Sequence, residues 1–222
     1  MTISVITSSY NNTEDLRTCI ARVHDQTYTD WQHIIVHDGP NPDLRYELED
    51  MGYKGHGKRV FVELGRNWHG FMGGDAGRNN VGDYGGGARG GRGSRSAVVV
   101  RVASHLASGE YIGYCDADCE LLPDHLQQGV EALDYTEADF VYTQVERRID
   151  GRTWDIIGDG HPRHGAIDGN AIMHRAELFQ RALWEWGGDI DWVIVAKWME
   201  AGAVHAFIPK VTVIWKHASN DI

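Results

Sequence analysis

Between residues 3 and 64 the chain reads as strand, helix, strand, helix, strand, and that order confines it to an α/β fold built on a parallel sheet. Parallel neighbours cannot be joined by a tight turn, so a helix has to carry the chain back each time. The run ISVITS at 3–8 is apolar enough for a buried strand. Leu16, Cys19, Ile20 and Val23 then recur at helical spacing. Thr13 stands at the capping position of that helix, and Glu14 and Asp15 sit at the positive end of its dipole. WQHIIVHDG at 31–39 is a second strand, closed by the breaker Gly39-Pro40-Asn41-Pro42. Residues 43–51 read as a short helix and RVFVEL at 59–64 as a third strand.

From 65 to 93 the periodicity lapses into a glycine-dense segment containing GFMGGDAGRNNVGDYGGGARGGRG, too long for an ordinary connection. A helix resumes over 94–107, with Val98, Val99, Val102 and Leu106 on one face, and leads into the strand YIGY at 111–114. That strand runs into two carboxylates, Asp116 and Asp118. If its alternation continues, both share one face, with Cys115, Ala117 and Cys119 on the other. Pro123 and the helical pattern Leu126, Val130, Leu133 follow, so the carboxylates sit where a strand gives way to a helix. Open α/β sheets bind ligands at that end of their strands. Two hard oxygen ligands there suit a divalent cation carrying substrate phosphates, although an isolated Asp-x-Asp is also common in solvated turns.

The remainder supplies a strand at 138–145, a hairpin signal at Asp150-Gly151, a loop at 158–164 and the short buried run NAIMH at 170–174. Helices are expected over 176–186 and 192–201, then one or two closing strands in AFIPKVTVIW around Pro209. No repeat and no linker divides the chain, so a single domain over 1–222 is expected. The net charge of −11 excludes a surface wholly given to nucleic acid. It also requires that any bound diphosphate be held by a metal or by clustered arginines. Cys19, Cys115 and Cys119 do not make a disulfide framework. Without an apolar run of membrane length or a leader-like start, the expected location is cytoplasmic.

Taken in order, ISVITSSYNN, Val36-His37-Asp38-Gly39, ASGEYIGYCDADCELLPDHL, DGNAIMHRAELF and Asp191-Trp192 resemble the motifs of glycosyltransferase family 2, from about residue 3 to 217. The resemblance implies a GT-A fold: a mixed, mainly parallel sheet flanked by helices, with a nucleotide-sugar-binding half at 1–118 and an acceptor-binding half at 119–222. It implies metal-dependent, inverting transfer of a hexose-type sugar from a nucleoside-diphosphate donor, with a uridine donor expected. Ser8, Ser9 and Tyr10 would hold the nucleotide and Asp38 its base. Asp116 would face ribose and metal, Asp118 would bind the Mn²⁺ or Mg²⁺ that bridges the diphosphate, and His217 would be a third metal ligand. Asp191 would be the general base, with Asp189 as the fallback. Asp168 and Asn170 would meet acceptor hydroxyls, His161 and His164 the acceptor or diphosphate, and His174 would be buried structure.

Each residue also has a plainer reading: a hydroxyl-stabilised turn for the serines, an Asp-Gly turn for Asp38, a helix cap for Asp191. The chain departs from the family with Ser8 for a proline, His37 for an aspartate and Val100 for an arginine. Arg89, Arg92, Arg95 and Arg101 are near enough in sequence to replace that arginine against the diphosphate, Arg95 being the choice. The glycine-arginine segment reads as a phosphate-binding loop, as an open surface loop, or as a patch for a polyanionic acceptor. A nucleotidyltransferase would carry a glycine-rich phosphate loop where SSYNN stands. An inactive nucleotide-sugar-binding protein is the other alternative. The acceptor stays open among a saccharide, a lipid-linked sugar, a small molecule and a hydroxylated base in nucleic acid, as does the oligomeric state.

Overall fold

A computed structural model describes residues 1–10, 13–66, 93–184 and 190–217. The sheet is built outward from β1 (Ile3–Ser9), which pairs in parallel with β2 (Trp31–His37) on one side and β4 (Tyr111–Tyr114) on the other. β3 (Arg59–Glu63) extends the parallel block beyond β2. The crossovers are α1 (Thr13–His24), α2 (Pro42–Asp50) and α3 (Gly93–Ser104). Proline at the start of α2 costs no hydrogen bond, and the Asn41 Oδ1 accepts from the Leu44 N–H at 3.1 Å to close the cap.

Past β4 the pairing becomes mixed. β5 (Cys119–Leu121), β6 (Phe140–Ile149), β7 (Arg152–Ile157), β8 (Ile172–Arg175) and β9 (His205–His217) complete a sheet ordered β3-β2-β1-β4-β8-β6-β9-β5, with β7 paired to β6. β8 is antiparallel to both β4 and β6, while β6 and β9 run parallel. The mixed α/β sheet expected from the sequence is therefore what the chain forms. Its parallel part lies in the first half, where helices do the crossing.

α3 and α5 (Ile190–Glu200) cover one face over Ile6, Ile34, Val36, Ile112 and Tyr114. α1 and α4 (His125–Thr136) cover the other over Ile3, Val5, Tyr111, Val141 and Met173. Every strand of the parallel block is sandwiched, which is why these strands read as continuous apolar runs rather than as alternations. Val100 belongs to the α3 side of this core. An arginine there would bury its charge against the sheet.

Two expectations need correction. The helix over 176–186 is only a 3-10 turn at Ala176–Gln180. The Ala182 carbonyl accepts from the Trp198 indole at 3.3 Å instead of continuing a helical ladder. AFIPKVTVIW takes the first of its two alternatives, one strand whose pairing to β6 slips around Pro209, a residue that cannot donate to a ladder. The alternation proposed for Asp116 and Asp118 also fails, because β4 ends at Tyr114. The Asp150-Gly151 hairpin does form: φ is +48° and +76°, the paired positive values of the turn that matches strand twist.

Three fully buried histidines make the fold sensitive to acid. His33 is bonded to Thr7 Oγ1 at 2.9 Å and Tyr53 Oη at 2.6 Å, His125 to Thr212 Oγ1 at 2.7 Å, and His174 to Tyr114 Oη at 2.8 Å. Burial lowers them to about 3, about 4 and about 4 respectively, so the unfolded chain takes up their protons first as pH falls below about 6.5. Burial raises Asp116 and Asp168, which therefore act with the opposite sign. With three groups against two, stability should fall as pH drops from 6.5 toward 4, by up to about 1.4 kcal/mol per pH unit for the one group in excess. Denaturant midpoints measured across that window check it, and an unchanged midpoint would refute it.

Candidate active site

After β3 the chain crosses to the other side of β1 to make β4, so the connections diverge between these two strands. A crevice opens outside the carboxyl ends of strands at such a point. Ser8, Ser9 and Tyr10 leave β1 there, Asp38 leaves β2 and Asp116 leaves β4. The exits are tied together. The Asp38 N–H donates to the Ser9 carbonyl at 2.9 Å, and Ser9 Oγ bonds His37 Nδ1 at 3.1 Å. Ser8 Oγ donates to Asp116 Oδ1, which links the β1 and β4 exits directly. One residue earlier, Thr7 Oγ1 donates to the Cys115 carbonyl at 2.7 Å.

The two carboxylates occupy a turn rather than a strand face. The Cys119 N–H donates to the Asp116 carbonyl at 2.9 Å, bending the chain so that β5 can join β9. Asp116 is half-buried and Asp118 exposed. The turn is held from below by a segment whose part was read differently from sequence. Asn170 Oδ1 accepts from the Asp116 N–H at 2.6 Å. Asn170 N and Nδ2 both donate to Asp168 Oδ1, at 2.9 and 3.1 Å. Asn170 is thus occupied in positioning Asp116, not exposed to meet an acceptor. The signal for it was an Asx turn: Asp two residues before a backbone donor.

Asp116, Asp118 and Asp168 share one electrostatic field. Burial raises the Asp116 carboxyl first, the Asp118 charge adds to it, and the bond from Ser8 only partly offsets them. Asp168 is raised by burial and by Asp118, against the lowering effects of Asn170 and Arg147. Mutually repelling carboxyl oxygens at a solvent-facing turn are a donor set that a hard divalent cation would relieve, so the residues fit such an ion. Among the described residues no group of three His, Cys, Asp or Glu side chains is placed to hold a metal ion. The side chain of His217 lies outside the described residues. By backbone position His217 is the last residue of β9, paired with Ile149 of β6 and two residues beyond the Trp215 that pairs with Cys119.

Asp191 lies in the first turn of α5. Its carboxylate packs on the backbone of Gly169: a Cβ at Gly169 would stand 2.8 Å from Asp191 Oδ1 and 3.3 Å from the Trp184 rim. The sequence motifs at 168–170 and 191 therefore meet in space, and through Asn170 they reach Asp116. Beneath them Tyr114 Oη accepts from Trp184 Nε1 at 2.9 Å and bonds His174 Nε2. Burial raises this phenol, and the Asp191 charge raises it further. Arg95 belongs to the first turn of α3, at the crevice end of the sheet, whereas Arg101 is about 9 Å farther along the axis. The Arg95 side chain, Asp189, Arg89, Arg92 and nearly all of the glycine-arginine segment lie outside the described residues. His161 and His164 are exposed on their loop, and His174 is fully buried.

A family model described as Glycosyl transferase family 2 matches residues 4–74 and 90–189. Among solved structures, Staphylococcus aureus TarS 1-349 in complex with UDP aligns with a TM-score of 0.70 at 14% identity, over 100% of this chain and 62% of that one. A mannosyltransferase from Pyrobaculum calidifontis, in complex with GDP-Man and Mn²⁺, aligns at 0.61 and 15%, over 97% of this chain and 56% of that one. GalNAc-T7 with UDP, GalNAc and Mn²⁺ aligns at 0.67 and 15%, over 98% and 44%. At these identities the likeness is one of fold. This chain spans less than two thirds of each of the three. Among the described residues no helix is long and apolar enough to cross a membrane.

Proposed function

Because this chain belongs to glycosyl transferase family 2, we propose that it moves a hexose-type sugar from a nucleoside-diphosphate donor, with uridine as the expected base, to an acceptor hydroxyl with inversion. The observation that carries this reading is the convergence at the β1–β4 crevice. Asp116 is bonded to Ser8 on its donor side and to Asn170 below, and Asp191 rests on Gly169 one residue away. Ser8, Ser9, Tyr10 and Asp38 receive the nucleoside, and Arg95 adds positive charge at the diphosphate. Asp116 and Asp118, with His217, hold Mn²⁺ or Mg²⁺. When bound, that ion neutralises the charge developing on the departing diphosphate. Asp191 accepts the proton of the acceptor hydroxyl as its oxygen bonds to the sugar C1. The C1–phosphate bond breaks on the opposite face in the same step, so one displacement inverts the anomeric centre.

The deciding experiment is a panel of UDP-, GDP- and dTDP-sugars with Mn²⁺ or Mg²⁺, scored for released nucleotide. Metal-dependent release from at least one donor is expected. Release from none, with nucleotide still bound, would leave a binding protein instead.

Gly169→Ala supplies a sharper check on geometry. The added methyl lands 2.8 Å from the Asp191 carboxylate oxygen, a side-chain terminus that yields at less cost than backbone would, so the loss of thermal stability should be small. Turnover should nevertheless fall about a hundredfold, the scale of a misplaced catalytic group. Wild-type turnover in this variant would separate Asp191 from the chemistry.

A further inference from the structure

We propose that the β6–β7 hairpin is the acceptor platform and that its occupant is a neutral saccharide stacked on Trp154. The proposal deepens the transferase reading above. Trp154 and Ile156 are 57% and 52% exposed on one short strand, an apolar investment that stability does not explain. Trp154 is also the bulged residue of the hairpin. Arg147 pairs with Asp155 and Arg148 with Thr153, so Trp154 has no cross-strand partner and is turned out of the ladder. Bulges are a common means of re-aiming a side chain beside a site.

The hairpin stands at the crevice end of the sheet. Cys119 pairs with Trp215, Trp215 with Arg147 and Arg147 with Asp155, so one rung of the sheet runs from the residue after Asp118 to the residue after Trp154. Three strand spacings make that about 14 Å, a distance a short oligosaccharide covers. Arg147 also bears electrostatically on Asp168, which places the base of the hairpin beside the acidic cluster.

The charges on the hairpin select the class of ligand. Arg147 makes a two-pronged pair with Asp155 and lies 4.7 Å from the centre of the Trp154 ring. Arg148 does the same with Glu146, both contacts at 2.9 Å. Over 140–157 the sequence holds Glu146, Asp150 and Asp155 against Arg147, Arg148 and Arg152, a net charge of zero. A surface meant for a polyanion would keep its guanidiniums unpaired. A rigid indole locked from one side by a paired arginine, with its remaining surface open, suits the C–H face of a pyranose.

The test uses fluorotryptophan-labelled protein and fluorine NMR, the Trp154 resonance among the eight tryptophans being identified by its loss in Trp154→Phe. Chitotriose, cellotriose, maltotriose and mannotriose are titrated separately. At least one should move the Trp154 resonance to saturation. Trp154→Ala should weaken that saccharide by about tenfold or more, and Trp154→Phe should restore most of the affinity. Acceptor-independent nucleotide release by the parent is measured alongside. No shift with any of the four, equal binding by Trp154→Ala, or a shift produced only by raising protein concentration or by single-stranded nucleic acid would overturn the proposal. Absent nucleotide release from the parent would instead count against the transferase reading, leaving the saccharide result to stand by itself.

Discussion

Asp191→Asn is expected to lower turnover by about 10²–10⁴-fold, the usual contribution of a positioned general base, while nucleotide binding stays unchanged. The substitution keeps the shape of the side chain, so the contact with Gly169 and the start of α5 survive. What it removes is proton affinity. Without a group to take its proton, the acceptor oxygen has to attack as a neutral alcohol and the leaving diphosphate gains nothing from the coupling. Nucleotide titration by calorimetry provides the control. An unchanged rate with donor still bound would remove Asp191 from the mechanism and turn attention to Asp189.

How far the site was legible in the sequence depended on whether a residue acts through local order or through a distant partner. The parallel block was legible because burial on both faces forces β-branched runs, and the crossover helices carry their own periodicity in Leu16, Cys19, Ile20 and Val23. The exits of β1, β2 and β4 followed, since topology alone puts Ser8, Asp38 and Asp116 on one edge. The link between Asn170 and Asp116 was not legible. It spans 54 positions and depends on the antiparallel return of β8 beside β4. The Asp116–Asp118 face was misjudged because alternation says nothing about where a strand stops. Here the stop is imposed by the turn that delivers β5 to β9, a long-range pairing of three residues. Trp154 was passed over for a related reason. In sequence it is one aromatic in a hairpin arm, and only the register reveals it as the bulged residue.

Asp118→Asn should abolish metal dependence and lower turnover by about 10³-fold, the equivalent of roughly 4 kcal/mol of charge stabilisation lost at the departing diphosphate. Asp118 is the better probe of the pair because it is exposed, whereas Asp116 is half-buried and bonded to both Ser8 and Asn170. Its charge is also one of the influences that raise Asp116 and Asp168. Neutralising it removes repulsion from a metal-free cluster, so the metal-free variant should be at least as stable as the parent. The two proteins should diverge only when an ion is added. For the parent, Mn²⁺ at a hundred times its dissociation constant contributes about 2.7 kcal/mol to stability, read as a rise in Tm that EDTA reverses. The variant should show little of that rise at the same concentration. Two readouts then have to agree: loss of the Mn²⁺-induced Tm shift and loss of turnover. A variant whose Tm still climbs with Mn²⁺ as the parent's does would place the ion elsewhere, and a variant with intact turnover would make the ion irrelevant to the reaction.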